Sequence, residues 1–466
     1  MIGPMTASED HSVSWWMETC GDDLTPRPPL DGSTTADVAI LGAGYTALWT
    51  ALYLLERDPW LKVVLVEKEI AGWGASGRNG GWLSPEISVS HSEMIARHGK
   101  DATRATHDAL VDTIGHVESA LERHGVDAHL DRHGMLMLAR GGHQMKTLRH
   151  IYDEMGGVGY PDFYTWLEPG EAAELVEVDN TWAALSAEPF AAVHPGRLVR
   201  GLARAVESLG ATIYEQTAVT SYELSPKPVL HTTGGDVTAA VVVLAGEAYL
   251  SALPQHRREI LPVYSQIMLT APLSDAQRAE IGWQRRFVMQ SKRLTIDYLQ
   301  ITRDGRIAFG GRGSLYHWGS AIKSEWDCME ETARSLRQQF EEFFPTLKDL
   351  PFERCWGGVV GIHRDWMPSF SFDQATGLAK AGGYAGEGVA ATNLAGRTLA
   401  DLITGEGTPL CDLPMVQHEP KNWEPEPFRY LGVRYIQKAA ARMEDRAVRT
   451  GKAPSGRSIA ERLMSH

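Results

Sequence analysis

The run Gly42-Ala43-Gly44-Tyr45-Thr46-Ala47 has the residue types and spacing that let a pyrophosphate close on the backbone where a helix begins. Gly42 permits a tight turn, Gly44 clears room for the phosphates, and Ala47 keeps the helix close to the preceding strand. Tyr45 and Thr46 open the helix, whose free N–H groups and positive dipole end favour an anion. Glu67, 25 positions beyond Gly42, followed by Lys68, is placed to accept hydrogen bonds from ribose hydroxyls. A second cluster, Gly72-Trp73-Gly74-Ala75-Ser76-Gly77-Arg78-Asn79-Gly80-Gly81, comes soon after. A loop with this many glycines beside Ser, Arg and Asn suits a second pass along a cofactor longer than a nicotinamide dinucleotide, namely FAD. A third cluster, Gly382-Gly383-Tyr384-Ala385-Gly386-Glu387-Gly388-Val389, runs into another helix, whose N-terminus would stabilise negative charge on a reduced flavin.

These clusters need strands and helices to hold them. The short apolar run Asp37 to Leu41, a helical pattern from Tyr45 to Arg57 and a second run from Lys62 to Val66 make a parallel βαβ unit. Helix is expected from Met94 to Arg123, His194 to Leu209 and Ala390 to Leu402. An amphipathic helix is expected from Glu325 to Phe344. Strand is expected at Leu136 to Ala139, Thr212 to Tyr214 and Val237 to Leu244, and strand patterns dominate from Ile260 to Gly313. The fold class is therefore α/β, or α+β overall: a Rossmann-like FAD-binding domain interleaved with a substrate domain of antiparallel sheet and helices. The expected FAD-binding domain is discontinuous, at 36–90, 191–257 and 353–412. The substrate domain takes 91–190 and 258–352. An N-terminal arm (1–35), pinned by Trp15 and Trp16, and a C-terminal helical arm (413–466) complete the chain.

A chain of 466 residues exceeds one ordinary core. Its net charge of −14 repels phosphate backbones, so nucleic-acid partners are not expected. No apolar run reaches the length of a membrane span, and the first residues lack a secretory leader. The expected compartment is cytoplasmic, the expected state a monomer or small homo-oligomer. The four cysteines, Cys20, Cys328, Cys355 and Cys411, are far apart. They form neither a zinc pattern nor a disulfide frame, and no metal is expected.

The clusters at 72–81 and 382–389 resemble the FAD-dependent amino-acid and amine oxidase superfamily, D-amino-acid oxidase-like. So do HPGRLVRGLARAVESLGATIYE at 194–215, RIAFGGRG at 306–313, RDWMPSF at 364–370, LAGRTLADLI at 394–403 and WEPEPFRYLG at 423–432. Within it the chain is most similar to γ-glutamylputrescine oxidase-like oxidoreductases. The resemblance implies FAD bound through Gly42, Gly44, Glu67 and the loop Gly74, Ala75, Ser76, Arg78, Asn79, Gly80 and Gly81. It implies backbone contacts to the adenine side around Val219, and places Gly383, Tyr384, Gly386, Gly388 and Val389 beside the flavin. The substrate would lie under a sheet that supplies Tyr298 and Arg312, with Trp356 and Tyr384 as walls. Tyr298 and Trp356 serve equally well as core packing. His363 reads as a core histidine.

Two departures from the family sharpen the reading. Many relatives have His where this chain has Glu387, and sarcosine-type members have Lys at the position of Ala390. An anion at 387 repels a carboxylate and attracts an ammonium, unless Glu387 faces solvent, so a cationic amine substrate is favoured. Members with covalent flavin use a Cys near the position of Gly358, whereas Cys355 lies three residues earlier and reads as a small buried residue. Non-covalent FAD is expected. The implied reaction passes a hydride from the amine α-carbon to flavin N5. Water hydrolyses the imine, and O2 takes the electrons to give H2O2. Arg312 or Lys292 could set positive charge near the reduced flavin. Three alternatives stay open: a dehydrogenase serving an electron carrier, a tailoring oxidase of a secondary metabolite, and an FAD-binding module that turns over no amine.

Overall fold

The structure is a computed structural model that describes residues 14–454. The outer ends of the two expected arms, 1–13 and 455–466, lie outside the described residues. Five short apolar segments stack as parallel strands in register: Val38 pairs with Val241 and with Val63, Val64 with Thr212, and Val242 with Leu378. The sheet runs Ser369–Asp373, Leu378–Gly382, Val241–Leu244, Val38–Leu41, Val63–Val66, Thr212–Tyr214. Its first strand pairs antiparallel with the second. Such a sheet is covered on both faces: Ala39, Val64 and Val242 pack against Leu230 and Val237 of a small neighbouring sheet, and helices cover the opposite face. The helices Tyr45–Arg57 and Gly388–Thr404 meet each other closely, and Leu48, Leu52, Leu394 and Leu399 have no exposed surface.

A second, eight-stranded sheet runs from Phe352–Ile362 through Leu261–Thr270, Ile307–Arg312, Asp297–Ile301, Val288–Ser291, Met135–Arg140 and Thr181–Ala187 to Tyr164–Leu167. It is antiparallel except where Val288–Ser291 pairs with Met135–Arg140. The helix Glu330–Phe343 covers one face with Ala333, Leu336, Phe340 and Phe343, packed on Phe309. The architecture is the mixed α/β one expected, with a parallel nucleotide-type sheet and a large antiparallel sheet.

Several local expectations need correction. The helix expected from Met94 to Arg123 is two helices, His91–His98 and Lys100–Arg123, parted at Gly99. The single strand expected from Val237 to Leu244 is two. Gly235–Thr238 joins a small sheet with Val229–Thr232 and Thr34–Thr35, and only Val241–Leu244 enters the parallel sheet. The helix expected from Glu325 begins five residues later, at Glu330, because the stretch before it is held elsewhere. Asp327 pairs with Arg78, and Cys328 forms a disulfide with Cys355, Cα–Cα 6.1 Å. The cysteines therefore do contribute one cross-link. Cys355 is half-buried and bonded rather than a buried free thiol. Among the described residues no helix is long and apolar enough to cross a membrane. Trp16 is buried and donates its indole N–H to Asn79 O at 2.9 Å, which ties the N-terminal arm to the second glycine cluster.

Candidate active site

The carboxyl ends of the parallel strands open into a cavity of about 540 Å³, the place where open α/β sheets bind ligands. Gly42, Gly44, Tyr45 and Thr46 line it from the first turn, and Glu67 and Lys68 from the end of the second strand. Gly74, Ala75, Ser76 and Asn79 come from the second cluster, Val219 from the small sheet, and Tyr384, Gly386, Gly388 and Val389 from the third cluster. Gly42 has φ +99°, a left-handed conformation that a side chain resists, and a Cβ there would meet Ala245 O at 3.1 Å. Ser76 Oγ accepts from Tyr45 N at 2.9 Å. A hydroxyl thus already caps the helix N-terminus, where an anionic ligand would be received. Glu67 accepts from Ala43 N (2.9 Å) and Glu69 N (3.0 Å), which leaves acceptor capacity for ribose hydroxyls. Burial pushes its pKa up.

Four expected cofactor residues stand behind this wall and support it. Arg78 is buried, stacks on Trp73 at 5.0 Å, donates to Trp73 O and Gly357 O, and pairs with Asp327. Gly80 gives its carbonyl to Gln300 Nε2 at 2.6 Å, and Gly81 packs on the same amide. Gly383 backs onto His363, which is buried with Nδ1 2.8 Å from Met367 O.

The five residues expected at the substrate divide similarly. Tyr384 is buried with its hydroxyl 2.9 Å from Thr46 Oγ1, joining the first and third clusters. Burial drives its pKa far up. Tyr298 lies flat between Gly80 and Gly310, where a Cβ would meet its ring at 2.8 and 2.1 Å. Its hydroxyl is 2.7 Å from Ser265 Oγ, and burial pushes its pKa to about 12. Arg312, opposite Ser265 across the sheet, keeps solvent-accessible surface, yet desolvation lowers its pKa. Arg312 is not among the residues that line the cavity. Trp356, 3% exposed, packs edge-on against Trp16 and donates to Arg78 O at 3.0 Å. It lies in packing that braces the second cluster. Glu387 is the N-cap residue of the helix Gly388–Thr404. Burial, and then Glu86, push its pKa to about 7, with a Ser84 hydrogen bond and Lys292 opposing.

Sequence reasoning missed several groups here. Glu247 lines the cavity, and its Oε2 accepts from Gly361 N at 2.7 Å while Oε1 has no partner in the structure. Its pKa is pushed to about 7 by burial. An acid directly past the strand Val241–Leu244 was the available signal, since that is the ligand edge of such a sheet. Tyr249 and the stretch Gly319 to Ile322 also line the cavity, and nothing local in the sequence marks them. The buried orphan oxygen, the glycine cradle and the helix N-termini at both ends fit a long dinucleotide whose phosphates, hydroxyls and ring carbonyls need donors and acceptors.

A family model described as FAD dependent oxidoreductase (DAO) matches residues 37–402. The chain is 29% identical over 400 residues to the γ-glutamylputrescine oxidoreductase of Escherichia coli (strain K12), covering 85% of this chain and 90% of that protein. The crystal structure of glycine oxidase from Geobacillus kaustophilus superposes with a TM-score of 0.67 at 24% identity, over 82% of this chain and 99% of the other. An L-amino acid deaminase from Proteus myxofaciens, in complex with anthranilate, gives 0.67 at 17% identity, over 84% and 95%.

Proposed function

The chain belongs to the FAD dependent oxidoreductase family, an oxidoreductase of amine and amino-acid C–N bonds, and from that premise we propose that it oxidises a cationic amine of the diamine or amide-capped diamine kind. The observation that carries this reading is Glu387, set in the third glycine cluster with Glu86 at its side and a small Ala390 in the next turn. Two carboxylates in a desolvated pocket penalise a substrate carboxylate and favour an ammonium. The likeness to a γ-glutamylputrescine oxidoreductase supports the same substrate class. Overall, the amine, O2 and water give an aldehyde, an ammonium and H2O2.

Gly42, Gly44, Ser76 and the helix N-terminus at Tyr45 would hold the FAD pyrophosphate, Glu67 a ribose, and Gly386 to Val389 the ring. FAD supplies hydride acceptance when bound. The protein's own residues set what reaches it. The Tyr298 ring lies flat against Gly80 and Gly310, and Tyr384 locks the third cluster to Thr46. Glu387 draws the amine toward that loop. Arg312, with no carboxylate partner among the described residues, suits an anionic group at the far end of an amide-capped diamine. The disulfide occupies the Cys355 sulfur, which supports non-covalent FAD. The test is anaerobic flavin reduction with a panel of diamines, acylated diamines, N-methyl amino acids and amino acids. Faster reduction by the amino acids than by every diamine would overturn the reading.

A further inference from the structure

The C-terminal helix shows solvent a face that the nucleotide site does not use. The helix Phe428–Thr450 is fastened to the body by its other side. There Arg429 is buried, pairs with Glu426 and donates to Arg257 O at 2.8 Å. Gln437 Oε1 accepts from Tyr316 N at 3.0 Å, and Glu444 Oε2 accepts from Leu294 N at 2.7 Å. On the outer side Phe428, Leu431 and Tyr435 are 69%, 60% and 51% exposed. Lys438, Arg442, Asp445, Arg446 and Arg449 continue the stripe and are exposed as well. Steps of three and four residues keep all of these on one face of the helix. An exposed tryptophan stands at each end. Trp318 lies 5.6 Å from the Tyr430 ring. Trp182 lies beside Gly142, whose Cβ position is also 3.7 Å from Gly451 O. Most of the exposed large apolar side chains among the described residues are on or next to this helix. A monomer rarely gathers them in one place without a partner to cover them.

The stripe is ordered along its length. Its large apolar residues occupy the first half and its arginines the second, and the halves are evenly spaced about the point between Lys438 and Ala439. Phe428 and Arg449 are equally distant from that point, as are Leu431 and Arg446, and Tyr435 and Arg442. A second copy of the helix laid antiparallel about the same point sets each of these apolar side chains against an arginine, twice over. Arginine stacks on aromatic rings and lays its stem along apolar surface. The same rotation brings Trp318 of one copy toward the helix end that Trp182 flanks in the other. Charge matches too. Lys438, Arg442, Arg446 and Arg449 make no ion pair among the described residues, while the whole chain carries −14. A second copy therefore supplies the acidic surroundings these cations lack. We propose that this face is a two-fold interface between copies of this chain, made by antiparallel pairing of the helix Phe428–Thr450. Such an interface is self-complementary and closes as a dimer. Aromatic residues and arginine are the types enriched at protein contacts, which favours a second copy over an anionic lipid surface. The proposal does not depend on which amine the protein oxidises.

Sedimentation of the FAD-loaded full chain at micromolar concentration is expected to give a particle of twice the chain mass. Leu431→Arg places a second cation opposite Arg446 at both symmetric contacts and should weaken dimerisation by at least about tenfold. Adding Arg446→Glu to that variant should restore the dimer, because the pair is then oppositely charged. Neither residue lines the nucleotide cavity, so flavin content should match the parent and report that each variant is folded. Phe428→Arg, set opposite Arg449, takes the place of Leu431→Arg if the latter fails to load FAD. A monomeric parent, a dimer that survives both Leu431→Arg and Phe428→Arg, or a double variant no better paired than Leu431→Arg would overturn the proposal. A monomeric parent that sediments with phosphatidylserine vesicles and not with phosphatidylcholine vesicles would overturn it in favour of an anionic membrane.

Discussion

Around the first glycine turn the cavity wall is backbone: Gly42, Gly44 and the N-terminus of one helix, closed by Ser76. Around Glu387 the material is ionisable side chains, brought together from the segment after Trp82–Leu83, from the eight-stranded sheet and from the third cluster. Under the proposed function the first region recognises groups common to every dinucleotide. Its geometry is fixed by φ angles and strand register, which tolerate little change. Under the proposed function the second region acts by charge balance, where one substitution is expected to alter which substrate is welcome. A flavoprotein built this way can keep its cofactor site constant while its substrate pocket diverges.

The largest expected effect comes from cutting the cross-link behind the cavity wall. The Cys328–Cys355 bridge closes a separation of 27 residues and anchors the chain that includes Gly319 to Ile322 of the cavity wall. Replacing both cysteines with serine should cost about 3 kcal/mol of stability, seen as a lower urea midpoint, and should loosen FAD as well. A flavin affinity untouched by the loss would show that the cofactor region does not depend on the bridge. Next, Glu67→Ala should cost about 1–3 kcal/mol of FAD affinity, measured by flavin release on dilution. The rate of reduction per bound flavin should survive, since Glu67 lies in the backbone-built region.

Third, binding of an ammonium should strengthen as pH rises. The Glu387 carboxyl titrates near 7, and Glu86, its neighbour, is also raised by burial. Facing groups are Lys292, Asp297 and Tyr164. A cation prefers the deprotonated acid, so affinity should fall by at most about tenfold per pH unit below 7 and level off above it. A flat profile between pH 6 and 8 would mean that neither carboxyl meets the ligand. Last, Tyr384→Phe removes the 2.9 Å link to Thr46 and should cost about 1 kcal/mol, read as a small drop in the thermal midpoint. A large loss of flavin would show that the first and third clusters depend on each other.

Local signals carried much of the reading. The parallel strands are short apolar runs, and the helix Tyr45–Arg57 starts and stops where its leucine spacing indicates. The glycine clusters gave a large share of the cavity lining because a turn and a helix start are encoded within a few residues. Misreadings arose where distant contacts decide. Val237 to Leu244 is one apolar run, yet its two halves pair with different sheets. Glu325 to Met329 has helical spacing, but the Arg78 pair and the disulfide pull it away. Arg78 and Trp356 have residue types suited to a ligand site, yet they contact each other. Glu86 and Tyr164 carry no motif and gain meaning only from what packs beside them.

The parallel sheet draws its strands from both ends of the chain, since Val38–Leu41 and Leu378–Gly382 flank the same strand, Val241–Leu244. On the ribosome the first βαβ unit therefore emerges long before its partners exist. At about 5–20 residues per second the wait is on the order of half a minute. Throughout it, the apolar face of the helix Tyr45–Arg57 that Gly388–Thr404 later covers has no native partner. Such long-range pairing slows folding and exposes sticky surface. The nascent chain thus has an extended window in which a chaperone is useful and FAD has only part of a site to enter.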